Sequence, residues 1–336
     1  VVVGISTAGA APILGQAVRR RIETLLPQGL SAWAKLADAV RARVMDALPA
    51  GPRRRAFWEG LADKAFGDRL PGAADAVPEA VGEMGGRVTL VGAGPGEAEL
   101  LTIKAVRALQ SADVILFDDL VSNEVLELAR REAKRMLVGK RAGRDSCRQE
   151  DINAMMLSLA RQGKHVVRLK SGDPMIFGRA GEEIEALAAE GIPVAVVPGV
   201  TAGLALASRL GVSLTHRDHA QSVRFVTGHS RKGDLPVSLD WQSLADARTT
   251  NVYYMARRML PKIVERLSAY GMAGTTPASI AINLGRTDEK IWRGPLSEIV
   301  AAAEEMDVNA PTLVAIGDAL GVGMAARAEE RARRAG

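Results

Sequence analysis

The chain has 336 residues, 47% of them apolar and 25% charged, with a net charge of +5 at pH 7. That is enough length and apolar surface for one to three folded domains, and no stretch approaches the roughly 18 consecutive apolar residues of a membrane span. The basic excess sits in runs such as Arg19-Arg20-Arg21 and Arg53-Arg54-Arg55, and aromatics are only 4%, too few for base-stacking platforms; solvated helix faces explain the charge and a nucleic-acid partner is not expected.

The opening Val1-Val-Val-Gly-Ile5 has no initiator Met and no charged n-region, and reads as a start inside a longer protein, not as a signal peptide. From residue 11 to about 68, Ile13, Leu14, Val18, Ile22, Leu25 and Leu26, then Leu30, Trp33, Leu36, Val40 and Val44, recur at helical spacing, with Pro27 and Pro49 as breaks; residues 1–66 are expected to be all-helical. Residues 67–86 are rich in Gly, Ala and Pro without periodicity and read as a linker. From 87 to about 320, β-branched runs alternate with helical stretches, which predicts an α/β fold with a mostly parallel sheet. Strands are expected at 88–91, 114–117, 135–138, 166–169, 194–197, 223–226, 251–255, 279–282, 290–293 and 312–316. Helices are expected at 101–108, 124–131, 149–162, 181–190, 202–210 and 260–270. The long polar loop 211–222 suggests two lobes, about 87–203 and 204–320, with a cleft between them. Residues 321–336 read as a charged tail. The single Cys147 excludes an internal disulfide and fits a reducing, cytoplasmic setting.

Two glycine-bearing segments carry the chemistry: Val91-Gly-Ala-Gly-Pro-Gly-Glu97 and Arg168-Leu-Lys-Ser-Gly-Asp-Pro-Met-Ile-Phe-Gly-Arg179. Each follows a strand pattern and precedes a helical one, where open α/β sheets place ligands. A dinucleotide fingerprint starting at Gly92 needs glycine at 97, and Glu97 is there; Pro95 removes an N–H that a pyrophosphate would use, and no Gly-Lys-Ser/Thr closes a phosphate loop. His216 and His219 are three apart, but no carboxylate or Cys triad joins them, so no metal site is expected.

These two segments, with Phe117-Asp-Asp-Leu-Val-Ser122, Val138-Gly-Lys-Arg141, Val197-Pro-Gly-Val-Thr-Ala202, Gly211-Val-Ser-Leu-Thr-His-Arg217, Val226-Thr-Gly-His229 and Tyr254-Met255, come in an order that resembles the tetrapyrrole methylases, most closely those that methylate uroporphyrinogen III. The likeness spans residues 87–320 and implies the two-lobed class III methyltransferase fold. The segment from Ile5-Ser-Thr-Ala-Gly-Ala-Ala-Pro12 to Arg53-Arg-Arg-Ala-Phe-Trp58 resembles the dimerisation region of siroheme synthases, which implies a homodimer. In those multifunctional proteins the NAD-binding loop and its catalytic Asp lie upstream of this segment, so NAD is expected only in a module absent from this chain.

The resemblance implies S-adenosylmethionine as methyl donor, with S-adenosylhomocysteine as product, and it carries roles onto particular residues. Pro95, Ser171, Gly172, Asp173, Ile176, Thr201, Ala202 and Met255 match the positions that hold the cofactor. Asp118 matches a base and Lys140 a proton donor or substrate contact. Arg179, Arg141 and Arg217 would grip carboxylates of the macrocycle. Ile282-Asn-Leu-Gly-Arg-Thr287 departs from the Glu-Asn pattern usual there, at the adenine end of the cofactor. A sibling methylase acting on another precorrin, a protein or RNA stays open, as do an NAD dehydrogenase and, for residues 1–66, a pure assembly module.

Overall fold

The computed structural model describes residues 3–6, 9, 11–49, 52–67, 69–76, 86–139, 147–229 and 234–322. Half of the linker expected at 67–86 and most of the tail lie outside these residues, as do Lys140 and Arg141. The helical spacing near the start forms α1 (Pro12–Leu25), α2 (Leu30–Ala47) and α3 (Pro52–Ala65). Pro12 occupies the first helical position, where a missing N–H is no loss. Trp33, Val40 and Val44 of α2 meet Phe57 and Leu61 of α3 in one small core, and Trp33 Nε1 donates to Arg69 O at 2.9 Å. α1 buries none of its residues, and Ile13 and Leu14 are exposed. The helical region meets the α/β region where Arg87 pairs with Asp63 at 3.0 Å.

The first sheet is fully parallel and runs β3-β2-β4-β1-β5, from strands β1 (Arg87–Gly92), β2 (Val114–Phe117), β3 (Lys134–Leu137), β4 (His165–Lys170) and β5 (Val194–Val197). Its connections carry α4 (Ile103–Ser111), α5 (Asn123–Leu126), α6 (Gln149–Arg161) and α7 (Ala180–Ala189). A parallel sheet is covered on both faces, and the strand alternation sorts the side chains accordingly. Val91, Ile115, Val167 and Leu169 pack with Leu109 and Val125 on one face; Val88, Leu90, Leu116 and Val166 pack with Ile152, Met156 and Leu187 on the other. The helix expected at 124–131 ends at Leu126 and gives way to turns that run up to Ala133, just ahead of β3.

The second sheet runs β6-β7-β10-β8-β9, from β6 (Ser222–Thr227), β7 (Thr249–Tyr254), β8 (Pro277–Ile282), β9 (Lys290–Pro295) and β10 (Thr312–Ile316), with α8 (Ala202–Leu210), α9 (Trp241–Leu244), α10 (Leu260–Ala269) and α11 (Ile299–Glu304). Here the expectation of a mostly parallel sheet is corrected. Only β6 and β7 are parallel, while β7–β10, β10–β8 and β8–β9 are antiparallel. The reason is local: residues 283–289, between β8 and β9, are too few for a parallel crossover and fold as a hairpin connection. α8 buries Ala205, Leu206 and Leu210 against Val252, Ala281 and Leu313 of this sheet. Among the described residues, no helix is long and apolar enough to cross a membrane.

Candidate active site

The two glycine loops bond to each other. Gly94 N donates to Gly172 O at 3.1 Å and Gly172 N to Gly94 O at 2.7 Å, which joins the carboxyl ends of β1 and β4. A third segment closes the junction: a Cβ placed on Gly199, after β5, would lie 2.3 Å from Gly172 O and 2.8 Å from the Gly92 Cα. Gly94 and Gly172 have φ of 69° and 68°, a region where glycine carries no steric cost. The two helices begin close to where the sequence pattern puts them, at 103 against 101 and at 180 against 181. α4 starts at Ile103, capped by the Thr102 hydroxyl on Ala105 N, and α7 starts at Ala180, so at Gly94 and Gly172 backbone is brought close to backbone well ahead of either helix N-terminus.

Asp173 ties this junction together. Its Oδ2 accepts from Gly199 N at 2.9 Å and its Oδ1 from Met175 N at 2.8 Å. Thr201 follows, buried, and its hydroxyl does not cap α8; it bonds the Tyr254 hydroxyl at 2.7 Å, which also accepts from Gly203 N at 2.9 Å. Burial pushes the Tyr254 phenol above its ordinary pKa, so it remains neutral. The Tyr254 ring packs at a tilt against Phe177, with ring centroids 5.0 Å apart. Through these contacts the structure brings Gly172, Asp173, Thr201 and the neighbour of Met255 together, with Pro95 buried beside Gly94. The rim carries large apolar side chains in the open, Met175, Phe177 and Met255. Phe177, Arg179 and Met255 have φ of 52°, 57° and 56°, a left-handed conformation that costs energy in residues with side chains and clusters at functional sites.

Asp118 lies at the carboxyl end of β2, the neighbour of β4. Arg168 Nη2 donates to its Oδ1 at 2.8 Å. Gly139, at the end of β3, packs so closely that a Cβ there would lie 2.7 Å from Asp119 N; Lys140 and Arg141, which follow it, fall outside the described residues. Arg168 and Lys170 are buried in β4 and both reach Glu183 Oε1, at 3.2 and 2.8 Å. Glu183 is wholly buried and also accepts from Gln149 Nε2 at 3.1 Å. Burial, with the charge of Arg168 beside it, pushes the Lys170 ammonium below its ordinary pKa, and Glu183 opposes that shift. Sequence reasoning placed Arg168, Lys170 and Phe177 in the motif without a role and missed Glu183. The available signal was the pair of cations at alternate positions, 168 and 170, of a largely apolar strand.

Arg179 is exposed and forks onto Glu182, at 2.9 and 2.6 Å. Arg217 is exposed in the loop before β6, and no described hydrogen bond or ion pair joins it to the other expected site residues. A cavity of about 890 Å³ lies between the lobes, with Glu97, Phe117, Asp119 and Ser122 on one wall and Gly285 and Arg286 on the other. Its wall includes Phe117 and Asp119, the neighbours of Asp118, and none of the eight residues expected to hold the cofactor lines it. Arg286 Nη2 donates across the cleft to Leu120 O at 2.8 Å, so the departure at 282–287 forms an interlobe strap.

Residues 87–300 match the family of Tetrapyrrole (Corrin/Porphyrin) Methylases, and residues 29–76 match the Sirohaem synthase dimerisation region. A siroheme synthase of Pseudomonas paraeruginosa is 44% identical over 329 residues, which cover 94% of this chain and 70% of the relative. One of Pseudomonas fluorescens is 45% identical over 332 residues, with the same shares covered. Among solved structures, a uroporphyrin-III C-methyl transferase from Thermus thermophilus complexed with S-adenyl homocysteine is 39% identical with a TM-score of 0.60, over 70% of this chain and 99% of that one. A cobalt precorrin-4 methyltransferase is 29% identical with a TM-score of 0.63, over 71% of this chain and 96% of that one.

Proposed function

Because the chain belongs to the tetrapyrrole methylase family, as an S-adenosylmethionine-dependent methyltransferase, we propose that it methylates uroporphyrinogen III at C-2 and C-7 to give precorrin-2, in the siroheme branch of tetrapyrrole synthesis. The observation that carries this reading is the position of Asp118, held by Arg168, one strand away from the closed glycine junction of β1, β4 and β5. The chain acts as a homodimer in the cytoplasm, through the helical region whose α1 face is open.

The junction fits the cofactor. Its floor is backbone with no side chain between the strands, and its rim of Met175, Phe177 and Met255 is apolar surface left in water, which a nucleoside and a thioether stem would cover. Pro95, Ser171, Gly172, Asp173, Ile176, Thr201, Ala202 and Met255 are assigned to this site. When bound, S-adenosylmethionine supplies an electrophilic methyl group, whose bond to sulfur breaks as the new carbon–carbon bond forms. The chain's own part is to hold the pyrrole carbon in line and to remove the proton that the methylated carbon sheds. Asp118 is the base; Lys140, next to Gly139, donates a proton or contacts the substrate. Arg141, Arg179 and Arg217 bind ring carboxylates, and Arg179 must exchange Glu182 for one of them.

Asp118→Asn tests this directly. With uroporphyrinogen III and S-adenosylmethionine, the doubly methylated product is expected to form on the order of a hundredfold more slowly, while calorimetry shows unchanged affinity for S-adenosylhomocysteine. Unchanged methylation would remove the role of Asp118.

A further inference from the structure

The β4 sequence His165-Val-Val-Arg-Leu-Lys170 places Val166, Arg168 and Lys170 on the face of the sheet that α6 and α7 cover, because alternate residues of a strand share a face. Two cations two residues apart in an apolar layer repel each other and lose their water. Their side chains are 3% and 5% exposed. What makes this tolerable is one carboxylate, Glu183, fully buried on α7, whose Oε1 accepts from Arg168 Nε, Lys170 Nζ and Gln149 Nε2. Among the described residues its Oε2 has no partner.

The direction of this cluster is the informative part. Arg168 is fixed at all three nitrogens: Nε by Glu183, Nη1 by the carbonyls of Leu116 and Leu169 at 3.4 and 3.2 Å, and Nη2 by Asp118. A planar guanidinium held at its root by one carboxylate presents its outer nitrogen in a single direction. That direction is toward Asp118, whose side chain is 29% exposed at the cleft. Glu183 thus stands at the buried end of a chain that ends at the proposed base.

We propose that Glu183 is a positioning residue for methyl transfer: it acts through Arg168 to fix the Asp118 carboxylate, with Lys170 and Gln149 holding Glu183 in turn. The inference rests on Asp118 being the base. A buried pair kept for stability alone needs no open end at the cleft, and apolar replacements of such pairs are often neutral or stabilising; a positioning role explains both the cost and the aim.

The experiment is a double-mutant cycle in the full chain. Glu183→Gln keeps the shape and an acceptor but removes the charge; kcat is expected to fall on the order of tenfold to a hundredfold, with KM for uroporphyrinogen III and the affinity for S-adenosylhomocysteine unchanged within about threefold. In the Asp118→Asn background the same substitution is expected to cost no further rate, because its target is gone. Arg168→Lys provides a second route: lysine cannot bridge Glu183 and Asp118 together, so it should lose kcat to a similar extent and show no additivity with Glu183→Gln. Full kcat in Glu183→Gln, in Arg168→Lys, or an equal loss in both Asp118 backgrounds would overturn the proposal. If Asp118→Asn itself keeps full activity, the reading of Asp118 fails first, and the two failures are told apart.

Discussion

The glycine junction and the charged face of β4 adjoin in the first sheet, yet they are built from opposite materials. The junction is backbone against backbone: Gly92, Gly172 and Gly199 meet with no room for a Cβ at 92 or 199, and a charge that anchors it is Asp173, used to hold two N–H groups. The β4 face is side chain against side chain, two cations balanced by Glu183 and Asp118. The first arrangement is intolerant of volume and indifferent to charge. The second should tolerate volume and fail on charge. In the proposed reading, the first arrangement serves as a rigid hollow for a nucleoside and the second aims a carboxylate beside it.

The most damaging way to test the first half is Gly199→Ala. The new methyl would sit 2.3 Å from Gly172 O, and the nearest atoms are all backbone, so no side chain can swing aside. Overpacking of this kind costs up to about 3 kcal/mol, so affinity for S-adenosylhomocysteine should drop on the order of a hundredfold by calorimetry. Gly172→Ala is a control within the same loop: its Cβ meets atoms only at 3.9 Å, and its penalty is the left-handed φ alone, about 1 kcal/mol. Equal losses in the two variants would mean that volume is not what the junction excludes.

The first kind of region was far more legible in the sequence than the second. Glycines at 92, 94, 172 and 199 stand out in β-branched surroundings, and every expected strand corresponds to one in the structure to within two residues at its ends. Their pairing was less legible: hydrophobic alternation shows that a run is a strand but not which neighbour it takes, and only the short β8–β9 connection hinted at the antiparallel second sheet. α9 and α11, of four and six residues, are too short for a helical period to show. Glu183 was hidden for a different reason. In Ala180-Gly-Glu-Glu-Ile-Glu185 it sits among acidic residues that face water, and only the fold turns it toward Arg168 and Lys170, which lie thirteen and more positions away.

The other end of β4 sharpens the contrast, because there burial is handled without charge. His165 is buried at the start of the strand, close to the Thr89 hydroxyl, with Nε2 and Oγ1 2.9 Å apart. Burial, reinforced by Arg87, depresses its pKa from 6.5 to about 4. The folded imidazole therefore stays neutral between those values while the unfolded one gains a proton, so its contribution is complete above pH 6.5 and is lost as the pH falls toward 4. The span corresponds to a few kcal/mol, roughly 3. Denaturant unfolding at pH 7.5 and pH 5 should show roughly 2 kcal/mol of this loss, and His165→Gln should flatten that part of the pH dependence. An unchanged slope would mean that the ring carries its proton inside the fold.

The smallest expected effect tests whether the second sheet belongs to the cofactor site at all. Tyr254 comes from β7, yet its hydroxyl engages Thr201 and Gly203 at the start of α8, and its ring backs Phe177 on the loop after β4. Thr201 illustrates what this contact displaces, since Thr102 and Ser122 use their hydroxyls to cap the helices that follow them and Thr201 does not. Tyr254→Phe keeps the ring contact and removes the hydroxyl, leaving Gly203 N–H and the Thr201 hydroxyl without that partner. One such lost hydrogen bond is worth about 1 kcal/mol, or roughly a fivefold weakening of S-adenosylhomocysteine binding, with kcat at saturating cofactor little changed. Because the phenol is neutral, the loss should be the same at pH 7 and pH 9. A variant that binds as tightly as the parent would confine the cofactor to the backbone junction of the first sheet and leave the second sheet to the macrocycle alone.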